Sequence, residues 1–116
     1  MGFFKFLYSK DSVKRKILDI KDEIQKTIEA VCDEKFWVIW YGAYQIDPKN
    51  LVFWICVKSD RMKLKLISDK ELYSKLRQLL STYDYPAEAI AYVGIDFESQ
   101  ETVDRVSDGS WYVHFK

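Results

Sequence analysis

The sequence predicts an α+β domain: one antiparallel sheet of four to six strands with two helices packed on one face. Three observations carry that expectation. Residues 11–34 repeat apolar side chains at helical spacing, and residues 36–57 switch to β-branched and aromatic runs split by a turn. A second helical stripe then precedes further strand-like segments, so helices and hairpins are separate units, as in α+β folds. With 116 residues, 48% of them apolar, the chain has the length and the material for one domain spanning 1–116.

The first element is the clearest. Val13, Ile17, Ile20, Ile24, Ile28 and Val31 trace one stripe of a helix. Seven basic and seven acidic residues between Lys10 and Lys35 occupy its solvated face, and Asp11 or Ser12 supplies the N-cap. Phe36–Tyr41 and Leu51–Val57 then read as two strands, apolar on both faces and joined through Asp47-Pro48-Lys49-Asn50, a turn sequence. The pair is expected to be a hairpin in the centre of the sheet. Met62-Lys63-Leu64-Lys65-Leu66 alternates as a half-exposed strand does.

Ser68-Asp69-Lys70-Glu71 fits a capping box, with Ser68 as the cap. Leu72, Leu76, Leu79, Leu80 and Tyr83 form the stripe of the second helix, which stops before Pro86. Ala89–Phe97 reads as another strand. Asp108-Gly109 suits a two-residue turn leading into Trp111–Phe115 as the terminal strand, with Thr102–Val106 as the candidate opposite arm. The resulting order, α-β-β-(β)-α-β-(β)-β, is compatible with a degenerate βαββ duplication whose first strands are Phe3–Leu7 and Met62–Ile67.

Several function classes are disfavoured. Lys5 interrupts the apolar start, no small-residue cleavage site follows, and Phe6 stands where myristoylation expects Ser or Thr. The apolar run from Phe36 to Ile46 is too short to span a membrane. A cytoplasmic, non-membrane protein is the expectation, with Cys32 and Cys56 as small buried hydrophobes rather than a disulfide. Eighteen basic residues balance eighteen acidic ones, which argues against a general nucleic-acid binder. Lys63 and Lys65 on one strand face, with Trp54 or Tyr73 for stacking, are the elements such a binder would use.

No cofactor or metal is expected. The four glycines are scattered, so neither a phosphate-cradling loop nor a dinucleotide fingerprint is present. Two cysteines and one histidine lie too far apart in sequence to suggest zinc, and the glycine-bearing calcium loop is missing. His114 reads as a packed or edge residue. Ser110 lies near it, but no third group completes a nucleophilic arrangement in sequence. An enzyme would need a cleft in which His114 meets an acid.

Two features point to binding instead. Phe, Trp and Tyr make up 16% of the chain, more rings than a small core is expected to cover, and Tyr41, Tyr44, Tyr92 and Tyr112 are the best exposed candidates. Charge is also segregated: residues 58–77 carry seven basic and three acidic side chains, whereas 84–108 carry seven acidic and one basic. The expected site is therefore a partner-binding surface of Tyr92, Asp96, Glu98, Glu101, Asp104 and Tyr112 facing a basic protein, with Asp96 and Glu98 on one strand face. The expected function is a non-catalytic protein-binding domain, in one version an immunity-type inhibitor of a cationic enzyme. The alternative is a small-molecule domain with an aromatic-lined pocket between helix and sheet.

Overall fold

The computed structural model describes residues 12–115. Helix α1 (Val13–Glu29) begins where the Ser12 hydroxyl accepts the Arg15 N–H at 3.1 Å. Its stripe of Ile17, Ile20, Ile24 and Ile28 is completely buried. Strands β1 (Phe36–Tyr41) and β2 (Val52–Val57) pair antiparallel, with Phe36 opposite Val57 and Tyr41 opposite Val52. The expected hairpin is therefore present, but only β2 is central: among the described residues β1 is an edge strand. In the hairpin connection Gly42 takes φ +117°, where an added Cβ would lie 2.0 Å from the Asn50 carbonyl oxygen, so no other residue fits.

The chain then runs through α2 (Asp60–Ile67) and α3 (Lys70–Thr82) before entering β3 (Gly94–Ser99). β3 lies beside β2 in parallel, Val52 opposite Gly94 and Val57 opposite Ser99, so the sheet order is β1-β2-β3. Parallel neighbours need a long crossover, and α2 with α3 supply it. The Arg77 guanidinium ties the crossover down by donating to the carbonyls of Val93 at 2.5 Å and Ile90 at 2.6 Å. Two short helices end the chain, α4 (Gln100–Ser107) and α5 (Trp111–His114).

The α+β class holds, but the sheet differs from expectation. Among the described residues it has three strands rather than four to six, and it is mixed rather than antiparallel. Residues 62–66 are helical: Met62 and Leu66 are buried four residues apart while Leu64 is exposed, and the Ser59 hydroxyl caps the helix by accepting the Met62 N–H at 3.1 Å. Five alternating residues satisfy both periods, and the cap decides between them. Lys63 and Lys65 consequently share no strand face: Lys63 turns to Glu98, and Lys65 reaches the Val31 carbonyl.

The cap of α3 is Asp69, whose Oδ1 accepts the Leu72 N–H at 3.0 Å; Ser68 instead closes α2, its hydroxyl donating to the Leu64 carbonyl. Thr102–Val106 lies in α4, and Asp108 and Gly109 are both left-handed residues that end this helix rather than join two strands. Trp111–Phe115 forms α5 and its cap rather than a strand. The second half thus contributes one strand, and the βαββ duplication is not realised in it; Phe3–Leu7 lies outside the described residues.

Side chains alternate across the sheet, so each face has its own partners. Val38, Phe53, Ile55, Val57, Ile95 and Phe97 join the isoleucines of α1, Met62 and Leu66 of α2 and Leu72, Leu76 and Leu80 of α3 in one core. Three helices therefore cover this face, not two. Tyr44 also packs against the core, edge-on to Trp40 at 5.8 Å between centroids, and is half-buried rather than exposed. The opposite face carries Trp37, Ile39, Tyr41, Trp54, Cys56, Asp96 and Glu98, and α5 lies over part of it.

Candidate functional site

The second face is built by pairing strand positions with helix positions. Trp111, His114 and Phe115 stand three and four residues apart on α5 and its cap, so all three turn toward the sheet. Trp111 meets Trp37 edge-on at 5.2 Å, and Phe115 stacks on Trp54 at 4.6 Å. The Trp54 indole N–H donates to the Tyr41 hydroxyl at 2.9 Å, and the Trp111 indole donates to Gln100 Oε1 at 2.7 Å. Both indoles are satisfied, so the rings stand where they are without leaving a polar group unpaired.

What these rings leave open is a groove of about 440 Å³ lined by Ile39, Tyr41, Trp111, Tyr112 and Phe115. Tyr41 is 40% exposed and Tyr112 76%, while Asp96 stands exposed on β3 opposite Trp54. A cation already rests near one ring of this face, with Lys58 Nζ 5.9 Å from the Trp37 centroid.

The expected acidic residues separate into different roles. Asp96 belongs to the open face. Glu98, on the same face, is buried, so the expected surface loses it: Oε1 accepts Lys63 Nζ at 2.6 Å and the Ser99 N–H at 2.9 Å, and Oε2 faces His114 Nε2 at 2.7 Å. Burial pushes the Glu98 carboxyl up, but the hydrogen bonds from Lys63, His114 and the Ser99 amide outweigh it and hold the group below its ordinary value. Asp104 is exposed and accepts Gln100 Nε2 at 2.8 Å, which places it one hydrogen bond behind Trp111. Glu101 points elsewhere, accepting the Asp60 N–H at 2.7 Å at the start of α2. Tyr92 is exposed in a 3₁₀ turn before β3, with Lys49 above its ring.

His114 does meet an acid. Its Nε2 faces a carboxylate and carries the hydrogen, while Nδ1 lies 3.0 Å from Ser107 Oγ. Hydroxyl, imidazole and carboxylate are connected as in a nucleophilic triad. Ser107, however, is the last residue of α4, where the helix presents its carbonyl end. A developing oxyanion there meets partial negative charge instead of amide donors. The Ser110 hydroxyl is committed to capping α5, accepting the Val113 N–H at 3.2 Å.

Two further polar knots flank the carboxyl ends of β2 and β3. The Asp60 carboxylate accepts Ser99 Oγ at 2.5 Å, Thr102 Oγ1 at 2.6 Å and Arg105 at 2.7 Å, and these bonds hold its carboxyl well below the usual range. Glu34 accepts the amides of Lys58 and Ser59 and the Ser59 hydroxyl, each at 2.8 Å. Burial opposes the charge of Glu34, and these bonds overcome it and lower its carboxyl. Each knot is internally satisfied and fastens loops rather than offering free donors. The Cys56 thiol, on the second face, is pushed up to about 12 by burial and by nearby Glu98, and so stays protonated. Cys32 is half-buried, and both cysteines are free thiols.

Family models, curated proteins and solved structures were compared with the chain, and none matches. Sequence reasoning missed three members of the second face, Trp111, Phe115 and Ile39. The signal for the first two was the Ser110 cap followed by apolar residues at helical spacing, which the β-rich composition concealed.

Proposed function

We propose that the chain is a non-catalytic protein-binding domain that takes a basic partner on the second face of its sheet. The observation that carries this is an aromatic groove and an exposed carboxylate on one face of the sheet: Tyr41, Trp111, Tyr112 and Phe115 surround the opening against β1, and Asp96 stands on β3, across β2 from it. An arginine or lysine fits such a surface twice over. Its methylene stem covers apolar rings and its charged head sits near ring faces, while Asp96 offers a carboxylate to a second basic side chain farther across the same sheet face. Asp104 and Asp108, also exposed, add negative potential from α4 that favours encounter with a cationic partner. An immunity-type inhibitor of a cationic enzyme is one form this function takes.

The test uses two short peptides, one alternating arginine with leucine and one alternating glutamate with leucine. Tryptophan fluorescence is expected to titrate with the arginine peptide, less strongly at high salt, and not with the glutamate peptide. Asp96→Lys is expected to weaken the arginine peptide roughly threefold to tenfold. Equal binding of both peptides, or an Asp96→Lys protein indistinguishable from the parent, would reject the proposal.

The same groove favours a second reading, a small apolar or aromatic ligand held between α5 and β1. A metabolite screen separates the two: a compound that raises the melting temperature in the parent but not in Tyr41→Ala supports a ligand site.

A further inference from the structure

The groove has one fixed wall and one that must be held in place. Ile39 and Tyr41 belong to β1, which is locked into the sheet by its pairing with β2. Trp111, Tyr112 and Phe115 belong to α5 and its cap, a single turn that follows the left-handed residues Asp108 and Gly109. One isolated turn has no stability of its own, because nucleating a helix costs more than one hydrogen bond returns. Something in the body of the protein must fix α5.

We propose that Glu98 is the positioning residue of this face: anchored by Lys63 on one oxygen, it holds His114 on the other and so pins α5 over the sheet, assembling the groove. The geometry is specific. Glu98 projects from β3, is 8% exposed, and devotes Oε1 to Lys63 and the Ser99 amide. Oε2 is left for His114 at 2.7 Å. The Ser107 hydroxyl serves the other imidazole nitrogen in either charge state, donating to a neutral ring and accepting from a charged one. The hydrogen bond from Trp111 to Gln100 runs to α4, which is itself adjacent in the chain and does not locate α5 on the sheet.

The regulation of the site follows from the rest of the proposal: the groove persists while Glu98 is ionised and loosens when acid protonates it. The charged and titratable groups facing Glu98 are Lys63 from α2, His114 from α5, Arg105 from α4 and the Cys56 thiol from β2. A charged imidazole still donates from Nε2, Asp60 holds Arg105 charged, and the Cys56 thiol remains neutral, so Glu98 is the group whose protonation releases α5.

This inference rests on the binding proposal for its consequence, but the pinning is measured without a partner. Hydrogen exchange is followed at the amides of residues 111–115 and of β3 in the parent, in His114→Ala and in His114→Gln. In His114→Ala, exchange in α5 is expected to rise on the order of tenfold or more while β3 is unchanged, and the glutamine, whose amide can donate to Glu98, should restore much of the protection. Should the alanine variant fail to fold, the parent answers alone: acidification should expose tryptophan before β3 loses protection. Unchanged exchange in α5, loss spread equally over α5 and β3, no rescue by glutamine, or simultaneous acid loss of α5 and β3 overturns the inference. Arginine-peptide binding with α5 unpinned defeats this inference alone; a pinned α5 without peptide binding defeats the binding proposal alone.

Discussion

Asp96 and Glu98 lie two residues apart on β3 and share a face of the sheet, yet the same substitution has different consequences at each. Asp96 is exposed, so Asp96→Lys is expected to leave the free energy of urea unfolding within about 0.5 kcal/mol of the parent while weakening the arginine peptide. Glu98 already neutralises Lys63 and accepts from His114 in a buried setting. Glu98→Lys would place a second cation there and strand Lys63, an expected loss of about 3–5 kcal/mol in urea unfolding. Equal stability of the two variants would show that Glu98 is not buried as described. Their common face was legible from strand parity. Their different burial was not, because it depends on Lys63 and His114, which arrive from residues 35 and 16 positions away.

At the scale of elements, helix ends decide much of the architecture. Ser99 caps α4 through the Thr102 N–H at 3.1 Å, and its hydroxyl also reaches Asp60, joining α4 to α2. Ser99→Ala is therefore expected to cost about 1–2 kcal/mol, measured by urea denaturation, with loss of protection in both α2 and α4. Protection lost in α4 alone would mean that the Asp60 contact contributes nothing. The long elements were readable because their patterns are long: the α1 stripe repeats over four buried isoleucines, and β1 and β2 are each six apolar or aromatic residues bounded by turn chemistry. The short ones were not. Met62–Leu66 and Trp111–Phe115 satisfy a strand period and a helix period equally well over five residues, and only Ser59 and Ser110, acting as caps, distinguish them. The parallel placement of β3 was hidden for the same reason: once residues 62–66 became helix, the crossover was long enough to bring β3 alongside β2.

For the molecule as a whole, the two sheet faces are built differently. The helix-covered face holds the core. The other is covered in part by α5 and leaves a groove of rings. Three carboxyl groups, on Glu34, Asp60 and Glu98, are held below their ordinary values in the folded chain. A lowered carboxyl contributes stability in full above its unfolded value, 3.8 for Asp and 4.5 for Glu, and that contribution is lost as pH falls through the folded value. Stability in urea is thus expected to be flat in these groups near neutrality and to decline below about pH 4.5, with α5 released first. An acid-insensitive urea midpoint would contradict the three knots.

The most direct test is to map the arginine–leucine peptide by amide and indole chemical shifts on isotope-labelled protein. The account expects the shifts to gather at Ile39, Tyr41, Asp96 and the Trp111 indole, all on the second face of the sheet. Shifts confined to the helix layer, around Lys75 and Arg77, or spread without focus over the surface, would contradict it.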